Sequence, residues 1–295
     1  MASMHSGTLK PDEVTLVLVQ QAVTKHGMRY DMVFFKAVLA GLMLSFGALM
    51  NEIVSGGTPA LSDASANPAI PKILGGFVFP SGFVLIPMLG LELLTSNMMV
   101  FPMGIACGKI PWWSLPVNWL IVTFGNLAGS LFSAAVLVHY SDILSSEPFF
   151  SGVQAFASKK AVVPEWHQIF LRGIGCNILV CIAIWLSVGA RETVSKLIAI
   201  WIPIWIFVAC SFDHVIANMF YIPLGIMFDT PSLSAAYYIR KSLIATYLGN
   251  IVGAFIVWGP AVYFYIWNTD HTNKKLDDPE AIIAKDIEAG YVKDE

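Results

Sequence analysis

Residues 212–226 read FDHVIANMFYIPLGI, and the polar group at the start of this stretch decides how the chain is built. Asp213, His214 and Asn218 lie between two apolar runs, LIAIWIPIWIFVACSF at residues 197–212 and VIANMFYIPLGIMF at residues 215–228. Neither run is long enough to cross a bilayer, whereas the two together are. A charge at such depth costs at least about 3 kcal/mol on insertion scales, so an ionisable pair there marks a functional site unless it caps a broken helix for purely structural reasons.

The stretch occurs twice. Residues 92–105, ELLTSNMMVFPMGI, align with residues 213–226, DHVIANMFYIPLGI, placing Glu92 on Asp213, Asn97 on Asn218, Pro102 on Pro223 and Gly104 on Gly225. Weaker echoes flank it: GNLAGSLF from Gly125 resembles GNIVGAFI from Gly249, and FFKAVLAGLM from Phe34 resembles FLRGIGCNIL from Phe170. The chain therefore reads as two related halves of three spans each. Paired, polar, proline-interrupted apolar segments in matching positions point to a transport site near the membrane midplane.

Composition agrees with this reading. Hydrophobic residues make up 56% and charged residues 13%, with mean hydropathy +0.68. An ordinary soluble domain carries about 25% charged residues, so the chain is a polytopic membrane protein. A net charge of -3 without any basic block gives no footprint for nucleic acid. Cys107, Cys176, Cys181 and Cys210 fall in or beside apolar spans and show no metal-ligand spacing, so neither a metal nor a cofactor is expected. The first thirty residues lack the apolar core of a signal peptide.

In chain order, residues 1–30 are expected to form a cytoplasmic segment whose residues 11–30 make an amphipathic helix on Val14, Val17, Leu18 and Ala22, packed on its own bundle or on a neighbour, with a partly disordered tail as the alternative. Spans are expected near 32–53, from 73 across the Gly- and Pro-rich second segment, at 113–138, at 169–188, through the stretch quoted above, and at 243–267. The breakers from Gly75 to Gly90 imply a discontinuous second span. The six-span domain occupies 31–268, and the charged residues 269–295 read as a disordered cytoplasmic tail. Six spans put both termini on one side, and 11 of the 17 Lys and Arg residues then fall inside if that side is cytoplasmic, as for a multi-pass protein of the plasma membrane. Gly41, Gly125, Gly129, Gly249 and Gly253 are expected to serve packing inside the protomer, leaving outward apolar faces and the N-terminal helix for contacts between protomers.

DHVIANM, LLTSNMM, GCNILVC and the paired broken helices together resemble the formate–nitrite transporter family, over about residues 30–268, and look most like its fungal-type branch. The resemblance implies an all-α aquaporin-like fold of six transmembrane helices with inverted 3+3 repeats and broken helices 2 and 5. It also implies a homopentamer in the lipid bilayer, with one pore per protomer for small monovalent anions such as nitrite, formate, acetate or lactate. His214 matches the family's central pore histidine, Thr95 the threonine of the second-span break, Asn177 and Asn218 the nearby asparagines, and Lys160, shifted by one residue, the outer-vestibule lysine. The family's two apolar constrictions fall on Phe79 and Phe83 at the inner side and on Leu93, Leu94, Val180 and Phe207 beyond the histidine.

A bare anion does not pass such constrictions, because stripping its water costs many kcal/mol. The expected mechanism is a proton-coupled one: Lys160 attracts the anion, His214 supplies a donor or a proton, and the neutral acid crosses. Glu92 and Asp213 are expected to turn away from the pore and accept hydrogen bonds from backbone amides freed at the helix breaks. A pH-gated anion channel without proton coupling is the first alternative. A neutral-solute channel is another, although the breaks lack its Asn-Pro-Ala pairs. An enzyme is not expected, since no GxSxG, HExxH or phosphate loop occurs. A purely structural or receptor role leaves the polar residues at matching depth in both halves without a reason.

Overall fold

The computed structural model describes residues 8–62 and 66–268, and the tail expected over 269–295 lies outside them. The chain is built from helices α1 (Pro11–His26), α2 (Tyr30–Gly57), α3 (Pro59–Ser62), α4 (Ala69–Val78), α5 (Pro80–Met88) and α6 (Leu94–Ala106). There follow α7 (Ser114–Phe132), α8 (Phe149–Ala157), α9 (Trp166–Gly189), α10 (Thr193–Ala209), α11 (Val215–Met227), α12 (Ala235–Tyr238) and α13 (Ile244–Val262). Wider π turns extend α7, α8, α12 and α13 at Ser133–His139, Ser158–Val162, Ile239–Leu243 and Tyr263–Trp267. Among the described residues, five helical stretches are long and apolar enough to cross a membrane, and α6, α10 and α11 are shorter apolar helices.

The repeat extends to the backbone. Gly90 and Ser211 occupy matching positions before the two half-helices and both have positive φ, as do Gly108 and Asp229 after them. Matching hydrogen bonds close each turn: Leu91 N–H to Ile86 O at 2.9 Å and Phe212 N–H to Phe207 O at 3.1 Å, then Lys109 N–H to Gly104 O at 2.9 Å and Thr230 N–H to Gly225 O at 3.0 Å. Serine at a left-handed position bears a strain that glycine in the first half does not.

Small residues let the halves close. α2 packs along α7, and α9 along α13. A Cβ at Gly129 would strike the Val38 carbonyl, and one at Gly249 would strike the Phe170 carbonyl, so backbone lies directly on backbone at both crossings. The expectation that Gly41, Gly125, Gly129, Gly249 and Gly253 work inside the protomer is met.

The second span is discontinuous, as expected: α4 and α5 run on through Phe79, and the break falls between Met88 and Leu94. Proline at the first turn of α5 needs no N–H partner, which is why Pro80 is accommodated. The polar segment after the third span is partly helical, as α8 and its π turn. The N-terminal helix does not hold its apolar face for a neighbouring protomer. Val14, Leu18, Val19 and Ala22 are buried within the chain, where α1 packs on α6 and α9.

Gly249→Leu is expected to force α9 and α13 apart, costing about 3 kcal/mol or more because backbone cannot yield as a side chain does. Thermal unfolding in detergent would register this as a lowered midpoint. Gly259→Leu, where a Cβ meets only the Phe255 ring, is expected to be far milder.

Candidate functional site: a half-helix junction beneath a cavity

Between α5 and α6, and again between α10 and α11, the chain leaves the helix inside the bundle, so the freed backbone groups need partners. Two asparagines supply them. Asn126 of α7 accepts from Leu94 N–H at 3.0 Å and donates to the carbonyls of Ala37 and Glu92 at 2.8 and 2.9 Å. Asn250 of α13 accepts from Val215 N–H at 3.0 Å and donates to the carbonyls of Gly173 and Asp213 at 2.8 and 3.0 Å. Each amide thus starts one half-helix and ties it to a full-length helix. These residues lie in the GNLAG and GNIVG echoes, and that repetition is the signal in the sequence that marks them.

Glu92 and Asp213, expected to accept from freed backbone amides, meet side chains instead. Glu92 accepts from Lys25 Nζ at 2.6 Å and Asn97 Nδ2 at 2.8 Å. Asp213 accepts from Lys160 Nζ at 3.0 Å and Asn218 Nδ2 at 3.3 Å. Lysine and asparagine side chains, not freed amides, meet both carboxylates, because Asn126 and Asn250 already occupy the first amides. Lys25 comes from α1 and Lys160 from the π turn after α8, so unrelated segments close equivalent ion pairs in the two halves.

His214 is the N-cap of α11. Its Nδ1 accepts from Ala217 N–H at 3.1 Å, so the neutral ring carries its proton on Nε2. Nε2 lies 2.9 Å from Thr95 Oγ1 on α6 and donates to it. The two half-helix N-termini therefore meet through one imidazole, each bringing the positive end of its dipole. Asn177 and Asn218 stand near this junction without touching the ring. Asn177 donates to the carbonyls of Asn250 and Thr95, at 2.7 and 3.3 Å, and Asn218 reaches Asp213 and Thr246.

A cavity of about 1160 Å³ leads to His214 from the side on which α2 ends. Phe79 and Phe207 line it, their rings edge to face at 5.5 Å, and Phe207 stacks on the His214 ring at 5.8 Å. This corrects the expected division of the apolar residues. Phe207 belongs with Phe79 on the cavity side, whereas Phe83, Leu93, Leu94 and Val180 are fully buried and do not line the cavity. The phenylalanines pair because α10 packs on both α4 and α5, a contact that spacing along the chain does not reveal.

Lys160 also lines the cavity, yet it is not a free cation. Its three ammonium donors go to Asp213 and to the carbonyls of Phe212 and Ser211, at 3.0, 2.9 and 3.3 Å. Lys72, Lys159 and Arg172 line the same cavity, against one carboxylate, Glu147. Among the described residues no group of His, Cys, Asp or Glu is arranged to hold a metal ion.

Such a junction, buried in a multi-pass bundle and reached by a cavity with excess positive charge, defines a membrane transporter or channel for small solutes. The chain belongs to the formate/nitrite transporter family, whose model matches residues 12–265. It is 34% identical over 277 residues to a probable formate transporter of Methanothermobacter thermautotrophicus, covering 90% of this chain and 99% of that one. It is 32% identical to the formate channel BtFdhC of Bacillus thuringiensis, covering 90% and 98%. Among solved structures it matches a pentameric formate channel with formate bound, at TM-score 0.70 and 28% identity, covering 84% of this chain and 99% of that one. These are transporters and channels, not enzymes, and the all-helical fold with two broken helices is shared with them.

Lys160→Met would leave Asp213 buried without its partner, a loss of about 3–5 kcal/mol for a buried charge. The variant is expected to unfold at a lower temperature than the parent protein, and Lys160→Met/Asp213→Asn to recover much of the difference. A single variant as stable as the parent would mean that the pair does not hold the junction.

Proposed function

We propose that the protein is a homopentameric transporter of the plasma membrane, both termini cytoplasmic, which moves formate, nitrite or a related short carboxylate through one pore per protomer together with a proton. The observation that carries this reading is the His214–Thr95 contact at the floor of the cavity, with Phe79 and Phe207 around it and Lys160 paired with Asp213. Lys160, already paired with Asp213 and two carbonyls, is not free to replace the water that an anion loses. Phe83, Leu93, Leu94 and Val180 supply an apolar passage beyond it, favouring a species that crosses uncharged. Similarity to proteins named for formate supports testing formate first, with nitrite beside it.

The role of His214 follows from its contacts. Nδ1 receives the Ala217 N–H, so a proton on that nitrogen would displace the helix cap. The ring is therefore best suited to polarising an arriving anion through Nε2–H and the Thr95 hydroxyl, while water in the cavity gives the proton. Lys72, Lys159 and Arg172 raise the local anion concentration before that step. They also favour a second reading, an anion channel without proton coupling, since cations would concentrate bare anions too.

Flux and current separate the two. With external pH stepped from neutral to mildly acid at fixed voltage, proton coupling gives uptake that rises with acidity and carries no net charge. A current of one charge per anion, indifferent to pH, would establish the channel reading. His214→Phe is expected to lower uptake at least about tenfold, corresponding to roughly 1.4 kcal/mol.

The pentamer rests on the likeness to a pentameric formate channel and on outward apolar side chains such as Leu120, Phe124, Leu171 and Phe255. The detergent-corrected mass of the solubilised protein is expected to be five times that of the chain. A stable monomer or trimer would overturn this assignment.

A further inference from the structure

A polar pair on the cavity wall takes no part in the junction. Asn51, on the last turns of α2, donates through Nδ2 to Tyr221 Oη at 2.9 Å, and its own Oδ1 accepts weakly from Ser55 Oγ at 3.4 Å. Both Asn51 and Tyr221 are buried, at 5% and 3% exposure, and both line the cavity that ends at His214. A phenol hydroxyl carries one proton and accepts through its lone pairs. Asn51 occupies its accepting side, and among the described residues no acceptor takes the Tyr221 proton. An unmet buried donor is costly, and the free space beside this one is the cavity.

The placement along α11 fits a path. His214, Asn218 and Tyr221 are spaced by four and then three residues, so they share one helix face, and all three line the cavity. At 1.5 Å per residue, Tyr221 stands about 10 Å from His214 toward the open side. Asn218, between them, is turned to Asp213 and Thr246. The Tyr221 ring is held by Phe156, centroids 4.6 Å apart, so the hydroxyl is presented from a fixed frame. Glu52, which follows Asn51, is buried and does not line the cavity; it lies within electrostatic reach of Tyr221 but makes no hydrogen bond to it.

We propose that the Tyr221 hydroxyl, oriented by Asn51, is a separate holding station for a small oxyanion, one carboxylate or nitrite oxygen accepting its proton before the anion moves on to His214. The inference rests on the anion-transport reading given above. Its site is distinct from the junction, and it accounts for two polar side chains that the junction leaves unused. The Asn51 carboxamide keeps the phenol from turning its lone pairs to the anion.

Tyr221→Phe removes one oxygen and keeps the ring. In proteoliposomes the half-saturating concentration for formate is expected to rise about tenfold, the scale of one hydrogen bond to a charged group, while maximal flux falls by much less. Asn51→Leu is expected to raise it by a smaller factor, and Tyr221→Phe/Asn51→Leu no further than Tyr221→Phe alone. An unchanged half-saturating concentration in Tyr221→Phe, with the oligomer intact by size exclusion, would overturn the proposal. If the parent protein takes up neither formate nor nitrite, the transport reading fails by itself. Saturation-transfer NMR of formate against the parent protein and Tyr221→Phe then decides the station separately: a signal lost in the variant supports it, and equal signals or none in either reject it.

Discussion

Everything at the centre of this protein depends on two carboxamides. A half-helix that begins inside a bundle leaves N–H groups where no water is available, and each unmet group would cost enough to undo the break. Asn126 and Asn250 meet the first N–H of each half-helix and, through their own amide protons, hold two carbonyls apiece. The breaks are stable because a full-length helix supplies these groups at the required depth. Only then do His214 and Thr95 face each other.

Charge is handled by the same economy of partners. Each half places one carboxylate beside its break and answers it with one lysine and one asparagine. A paired carboxylate presents little net field to a passing anion, so the junction is polar without being repulsive. The two lysines come from α1 and from the π turn after α8, segments that the repeat does not relate. One consequence is that α1 becomes part of the folded bundle, held by Lys25 and by its buried Val14, Leu18 and Ala22.

The two sides of the junction differ in kind. Toward the end of α2 lies an open cavity with cations at its wall, a phenol–carboxamide pair within it and two phenylalanines at its floor. Phe83, Leu93, Leu94 and Val180 are fully buried and do not line that cavity. The repeat makes the backbone nearly symmetric, whereas side chains make the path asymmetric. His214 itself shows this, since its counterpart in the first half is Leu93, which caps α6 without a side-chain hydrogen bond.

The sequence by itself determined the membrane class, the two halves and the depth of the polar residues, because these follow from hydropathy and from a repeat visible as ELLTSNM against DHVIANM. It also indicated His214, as a costly imidazole beside a break, and the family resemblance added Thr95. Only the tertiary structure decided partners. That Lys160 is consumed by Asp213 and two carbonyls, that Phe207 joins Phe79 and not Leu94, and that Asn51 orients Tyr221 across 170 positions of sequence are outcomes of helix packing. Periodicity tells which face of a helix is apolar. It does not tell which other helix that face meets, and at a junction of half-helices the chemistry belongs to whichever side chains the neighbours bring.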